Sequence, residues 1–337
     1  MDNSFNIFNR RYTGSKAKLV DWINEVISTH CKKGNKLTDI FAGTGVVAFS
    51  NLDKFDSLII NDFLYSNEVI YKGFLSNGKW SKKKINITID RFKAINSKAL
   101  KENYFSKNFG GKFFSTNDAK AIGAIREVLD TERDNFSDKE FYILLSSLIY
   151  SADKVANTVG HYDAYRIREG LKDRFIFNPI SPISHKKEVK IHRKDANQLI
   201  RDIKTDLLYI DPPYNSRQYS RFYHVLENLT QWKKPKLFGV ALKPEPENMS
   251  EYCKVGAFDQ FKDLIDNANA KEIIVSYNNT YKSKSSSSKN KISHEQILSV
   301  LESKGKTLEF SKKHTHFNAG KTEFNDHREY LFVTKSK

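Results

Sequence analysis

Asp206-Leu-Leu-Tyr-Ile-Asp211-Pro212-Pro213-Tyr214-Asn215 is the stretch from which the rest of the chain can be read. Leu207 to Ile210 form a short apolar run closed by a carboxylate and two prolines, the pattern of a buried parallel strand that stops abruptly. In an open α/β sheet, ligands lie beyond the carboxyl ends of the strands, so Asp211 to Tyr214 fall where a reacting group would be held. Proline fixes φ, and Pro213 pushes Pro212 toward an extended conformation, so the loop is stiff and its carbonyls are aimed.

Such a loop offers a carboxylate, an outward carbonyl and an aromatic face, which suits group transfer to an exocyclic amine on a flat ring. The amino nitrogen of adenine is weakly nucleophilic because its lone pair is delocalised into the purine. If Asp211 and the Pro212 carbonyl accept its two N–H bonds, the lone pair leaves conjugation and is aimed at an electrophile. Tyr214 would stack on the ring. The competing reading is a plain Asp-Pro turn at a strand end.

Working outward, Leu37-Thr-Asp39-Ile-Phe41-Ala-Gly43-Thr-Gly45 reads as a strand running into a glycine turn, with Val46 to Phe49 opening a helix. The two glycines let the backbone come close to a ligand. Ala48 stands where the third glycine of a dinucleotide fingerprint would be, which counts against that alternative. Ser57 to Ile60 is the next strand, ending at Asn61-Asp62, where a carboxylate would accept hydrogen bonds from ribose hydroxyls or close a turn.

Tyr12-Thr13-Gly14-Ser15-Lys16 precedes a helix marked by Leu19, Trp22, Ile23, Val26 and Ile27. Later, Glu188 to Lys194 is a strand leading to Asp195, either a ligand contact or a helix start. A helix is expected near 217–232, an amphipathic one over Phe258 to Ala270, and a strand over Lys271 to Tyr277. Ser293 and Gln296 have capping-box spacing for a helix over Ser293 to Ser303. Thr307 to Phe310 and Glu329 to Thr334 read as a closing antiparallel pair.

From Phe63 the pattern changes to Lys-, Asn-, Phe- and Tyr-rich sequence with helical periodicity around 64–75, 116–130 and 137–155. An insertion of about 120 residues is a subdomain rather than a loop. Residues 1–62 and 188–337 therefore read as one α/β domain, and 63–187 as a mainly helical insertion. Within it, Asn157 to Arg168 interleaves aromatic and cationic side chains, as an exposed hairpin or a base-contacting one would.

The chain has 56 Lys and Arg against 40 Asp and Glu, a net charge of +16, which favours an anionic partner. Its basic clusters, Lys79 to Lys84, Lys186 to Lys194 and Lys282 to Lys291, lie on no amphipathic apolar helix, which argues against a membrane surface. The most apolar segment, Phe141 to Tyr150, is too short to span a bilayer and reads as a buried helix. Cys31 and Cys253 lack the spacing of a disulfide framework or zinc site, which fits a reducing cytoplasm. Neither follows a proline, so the Pro-Cys nucleophile of cytosine C5 methylation is missing.

Taken in order, Tyr-Thr-Gly-Ser-Lys, Phe-Ala-Gly-Thr-Gly, a long insertion and Asp-Pro-Pro-Tyr, the chain resembles the alpha-type, Dam-like adenine-specific DNA methyltransferases. The resemblance implies a Rossmann-like α/β sheet dependent on S-adenosylmethionine, with an inserted, mainly helical target-recognition subdomain. It implies catalysis by Asp211, Pro212, Pro213 and Tyr214, and donor binding by Tyr12, Lys16, Asp39, Phe41, Gly43, Gly45, Asp62 and Asp195. Tyr12 and Lys16 would hold the donor's carboxylate end, and Asp195 its adenine.

Nucleic-acid contacts are expected at His161, Tyr165, Arg166, Arg168, Arg217, Lys282, Lys284, Lys289 and Lys291. The implied partner is double-stranded DNA with a flipped adenine, met by a monomer in the cytoplasm without a metal. A restriction-modification role with a cognate endonuclease is also implied. Three alternatives stay open: an RNA adenine methyltransferase, a DNA cytosine-N4 methyltransferase, whose loop usually carries Ser where Asp211 stands, and a non-catalytic nucleic-acid-binding protein with a relic pocket.

Overall fold

The computed structural model describes residues 7, 10–32, 34–167, 170–280, 289–313 and 327–337. These fall into two compact units. The first comprises Lys16–Phe63, Lys187–Tyr219 and Asn248–Lys337, and the second Met1–Ser15, Leu64–Lys186 and Ser220–Glu247.

The first unit contains a seven-stranded sheet built from β1 (Lys36–Asp39), β2 (Ser57–Asn61), β3 (Glu188–His192), β4 (Lys204–Ile210), β5 (Asn269–Asn278), β6 (Gly305–Lys313) and β7 (Arg328–Ser336). Their order is β3-β2-β1-β4-β5-β7-β6. The first five strands are parallel, and β7 runs antiparallel to both β5 and β6. Reversal occurs between β1 and β4, so the ends of these two strands open the crevice where an α/β sheet takes its ligands. Leu208 and Ile210 of β4, Ile273 and Val275 of β5, and Phe332 of β7 are fully buried with Phe261 in one core. Strands covered on both faces read as continuous apolar runs, which is why these were legible.

Beside β5, the helix Ala257–Asp266 ends earlier than its periodicity suggests, because the Asn267 side chain bonds back to the Asp263 carbonyl at 2.8 Å. The expected capping box is formed: Ser293 accepts from the Gln296 amide, and Gln296 from the Ser293 amide, at the start of His294–Lys304.

The second unit is helical. Tyr65–Phe74, Thr116–Thr131 and Asp138–Val155 match expectation, with Phe141 to Tyr150 lying inside the last of them. Lys82–Lys93 and Tyr104–Phe109 were not foreseen. Each of these two is closed by a side-chain cap, Ser81 and Asn103 respectively. Buried polar groups lock the unit: the Glu227 carboxylate accepts from the Tyr65 and Ser66 amides, and the Arg126 guanidinium donates to the carbonyls of Leu229 and Thr230.

The helix expected near 217–232 is two helices, Tyr219–Phe222 and His224–Gln231. It breaks at Tyr223, whose ring stacks on Tyr12 at 4.8 Å while its hydroxyl accepts from the Thr13 amide. That tertiary anchor outweighs helical periodicity. Among the described residues, no helix is long and apolar enough to cross a membrane.

Candidate active site

Four functional segments converge at the carboxyl edge of the sheet in the first unit. β1 ends at Asp39, which is fully buried, and neither carboxylate oxygen has a hydrogen-bond partner among the described residues. Burial first, then the charges of Asp211 and Asp62, push its pKa well above the usual carboxylate range. The Ala48 amide acts in the opposite sense without hydrogen-bonding geometry. A buried, unsatisfied carboxylate is costly unless a donor group completes it, so this position fits a ligand bearing hydroxyl or ammonium groups.

Beyond Asp39 the chain turns through Gly43 and Gly45, with φ of 55° and 77°, a left-handed region that L side chains rarely adopt. Asp62, at the tip of β2, holds this turn by accepting from the Gly43 amide at 2.8 Å. Its neighbour Asn61 donates to the carbonyls of Ile40 and Lys194 and accepts from the Lys194 amide, tying the ends of three strands together. Sequence reasoning singled out Asp62 and passed over Asn61. Phe41 packs edge-on against Tyr252, with ring centroids 5.0 Å apart. Asp195 caps the short helix Ala196–Ile200 by accepting from the Gln198 amide at 3.0 Å.

Asp211 follows β4 directly. Its Oδ1 accepts from the Lys16 ammonium at 2.7 Å, and among the described residues Oδ2 accepts no hydrogen bond. The same ammonium lies 3.3 Å from Glu329 Oε1 on β7. Burial pushes the Asp211 carboxyl up, Lys16 pulls it down and Glu329 raises it again, leaving a pKa of about 6. Burial alone would lower the Lys16 pKa, but Asp211 and then Glu329 hold it above its ordinary value. Lys16 is thus a counter-ion of the loop, and the donor carboxylate expected from the sequence would be a partner additional to this pair. Tyr12, assigned with it, belongs to the helical unit and stacks on Tyr223.

Tyr214 departs from an open stacking platform. Its side chain is 7% exposed, edge-on to Tyr277 with centroids 5.9 Å apart, and the Lys16 ammonium stands 5.8 Å from its ring centre. The Tyr214 carbonyl accepts from the Lys291 amide at 2.8 Å, which anchors the loop. A stacking role requires this ring to leave its packing.

The sequence matches, over residues 12–292, the family model described as D12 class N6 adenine-specific DNA methyltransferase. The chain belongs to this family. Similar proteins include the modification methylase LlaI of Lactococcus lactis subsp. lactis, 32% identical over 80% of this chain and 46% of its own length. The modification methylase StsI of Streptococcus sanguinis is 32% identical over 80% of this chain and 44% of its own length. The chain thus spans about half the length of these two relatives. The Type II methyltransferase M.NlaIII of Neisseria lactamica is 30% identical over 96% of this chain and 98% of its own length.

Among the residues expected to touch nucleic acid, His161 stacks on Phe222 at 4.4 Å and Tyr165 packs edge-on against Phe113. Thr158 and Tyr165 form an antiparallel bridge, as a hairpin requires. It is not uniformly exposed, because Tyr162 is buried and donates to Asp153. Arg166 is exposed at its foot. The Arg217 amide donates to the Asn215 side chain, and Lys289 is exposed. Arg168, Lys282 and Lys284 lie outside the described residues.

Proposed function

We propose that this chain transfers a methyl group to the N6 nitrogen of an adenine at a specific site in double-stranded DNA, as the modification enzyme of a restriction-modification system. The observation that carries this reading is the Asp211 carboxylate at the end of β4, held by Lys16 on Oδ1 with Oδ2 left to accept an amine N–H. Cytosine-N4 enzymes of the resembled kind usually carry Ser at this position, so Asp211 favours adenine. The names of the relatives, modification methylases and Type II methyltransferases, support the restriction-modification setting.

S-adenosylmethionine, when bound, supplies its methyl group on a sulfonium, an electrophile that an unactivated amine can attack. Asp39, with two unsatisfied oxygens, and the turn of Gly43 and Gly45 would hold it, together with Asp62, Phe41 and Asp195. Asp62→Ala is expected to weaken donor binding by about 1–3 kcal/mol, through a lost hydrogen bond and a loosened Gly43 turn. Calorimetry with pure protein measures it, and unchanged affinity would remove Asp62 from the donor pocket.

N6 lies inside the duplex stack, so the target base must be extruded. Asp211 and the Pro212 carbonyl then accept its N–H bonds, and the proton leaves after methyl transfer. We assign target recognition to residues 63–187 and phosphate contact to Lys289 and Lys291. Neutralising those two lysines should flatten the dependence of log Kd on log salt by about one to two units for every sequence. Substitutions at His161 or Tyr165 should instead change the site methylated. Altered site preference in the lysine variant, with the slope intact, would reverse the assignment. The overall reading is tested by incubating duplex DNA with labelled donor and mapping the product: methyl groups on cytosine, on RNA only, or nowhere would overturn it.

A further inference from the structure

The Lys16 ammonium sits between two carboxylates that reach it from opposite sheet directions. Asp211 follows the carboxyl end of parallel β4, while Glu329 is the second residue of antiparallel β7. Glu329 is buried and itself fixed, since its Oε1 accepts from the Ser276 hydroxyl at 2.7 Å. The ammonium is 2.7 Å from Asp211 Oδ1 and 3.3 Å from Glu329 Oε1.

We infer that Glu329 is a positioning residue, which shares the Lys16 ammonium so that Lys16 engages one oxygen of Asp211 and leaves the other for the substrate amine. This rests on the methyl-transfer reading above. An ammonium has three donors and, alone beside a single buried carboxylate, is drawn to both of its oxygens. A second fixed carboxylate, 3.3 Å from the ammonium, draws it back. Without that counterweight, Lys16 would compete with the amine for Oδ2, and a small misplacement at a reacting centre is costly.

The groups facing Asp211 are Lys16, Glu329 on β7, Asp39 at the end of β1, and Tyr209 and Tyr214 on its own segment. Of these, Lys16 favours the ionised carboxylate and Glu329 opposes it. Removing the Glu329 charge should therefore lower the pH at which Asp211 titrates. It should also reduce the rate above that pH. A role in folding alone would produce neither in combination.

The test uses Glu329→Gln, with Glu329→Asp as the conservative variant and Ser276→Ala as a milder one that removes only the hydroxyl holding Glu329. Carbon-13 NMR of labelled aspartate, assigned with Asp211→Asn, follows the Asp211 carboxyl in the protein without donor or DNA. Single-turnover rates against pH are measured on the duplex that the wild-type protein methylates. Expected for Glu329→Gln are a lower Asp211 titration pH, a plateau rate reduced by about tenfold to a hundredfold, and unchanged DNA affinity, with partial recovery in Glu329→Asp. Ser276→Ala should move both quantities in the same direction by less, and decides the matter if Glu329→Gln does not fold. An unmoved titration, or a plateau rate equal to wild type, overturns the inference. Failure of the wild-type protein to methylate DNA would instead overturn the functional reading.

Discussion

Asp211→Ala should abolish methyl transfer while leaving DNA affinity within a few fold. On the proposed mechanism, the bond from the amine to Oδ2 would strengthen as nitrogen becomes tetrahedral and cationic, so it would belong to the transition state more than to the bound state. Asp211→Asn is the sharper variant, because its amide keeps the shape and one acceptor but loses the charge. A rate loss of about a hundredfold or more is expected, the range found when one transition-state contact is removed. Even the wild-type rate should fall at acid pH, since Asp211 must be ionised to accept, and burial with Glu329 nearby holds its carboxyl above the usual carboxylate range. Single-turnover kinetics with saturating donor and DNA measure all three. Near wild-type methylation by Asp211→Ala would reduce this loop to a turn.

Lys16→Met carries the second large effect, on stability as well as rate. It leaves half-buried Asp211 and buried Glu329 as neighbouring carboxylates without the cation that pairs with both. Removing one partner of a buried ionic cluster typically costs about 3–5 kcal/mol, since the remaining charge loses compensation without regaining water. The variant should therefore unfold at markedly lower urea concentration. Its two carboxylates should then repel and take up a proton, so the acid limb of the rate profile should move to higher pH. The double variant Lys16→Met with Glu329→Gln should recover part of the lost stability. A Lys16→Met protein of unchanged stability would mean that the cluster is already open to water.

Legibility followed the physics of each segment. β1, β2, β4 and β5 were readable because buried parallel strands are continuous apolar runs punctuated by Asp, Asn, Gly or Pro. Asp62 was singled out by its position at the tip of a strand, and Asp39 by the resemblance. The helix Lys82–Lys93 was missed although Ile85, Ile89 and Phe92 are its buried residues at helical spacing. Its run of three lysines and β-branched residues hid that stripe. The site itself was half legible. Asp211 and Lys16 were both singled out, yet 195 residues separate them, and nothing local states that they pair. Glu329 gave no signal, because a charge within an expected strand ordinarily faces solvent. Only the register that sets Glu329 against Asn278 on β5 turns it inward, beside Ser276.

The antiparallel direction of β7 limits how this sheet could be shortened. In a uniformly parallel sheet, a last strand brings its carboxyl end to the working edge, and everything before that is scaffold. Here the last strand arrives at that edge by its first residues, so Glu329 stands at the reacting end while Ser336 lies at the opposite one. A premature stop codon ahead of residue 328 would thus remove more than a border from the sheet. It would uncover the β5 backbone and leave Lys16 with Asp211 as its one remaining anionic neighbour of the pair, so structural and chemical damage would come together. For this chain the closing strand is not a dispensable trimming site, and an engineered split or fusion would better be placed at a surface turn of the helical unit.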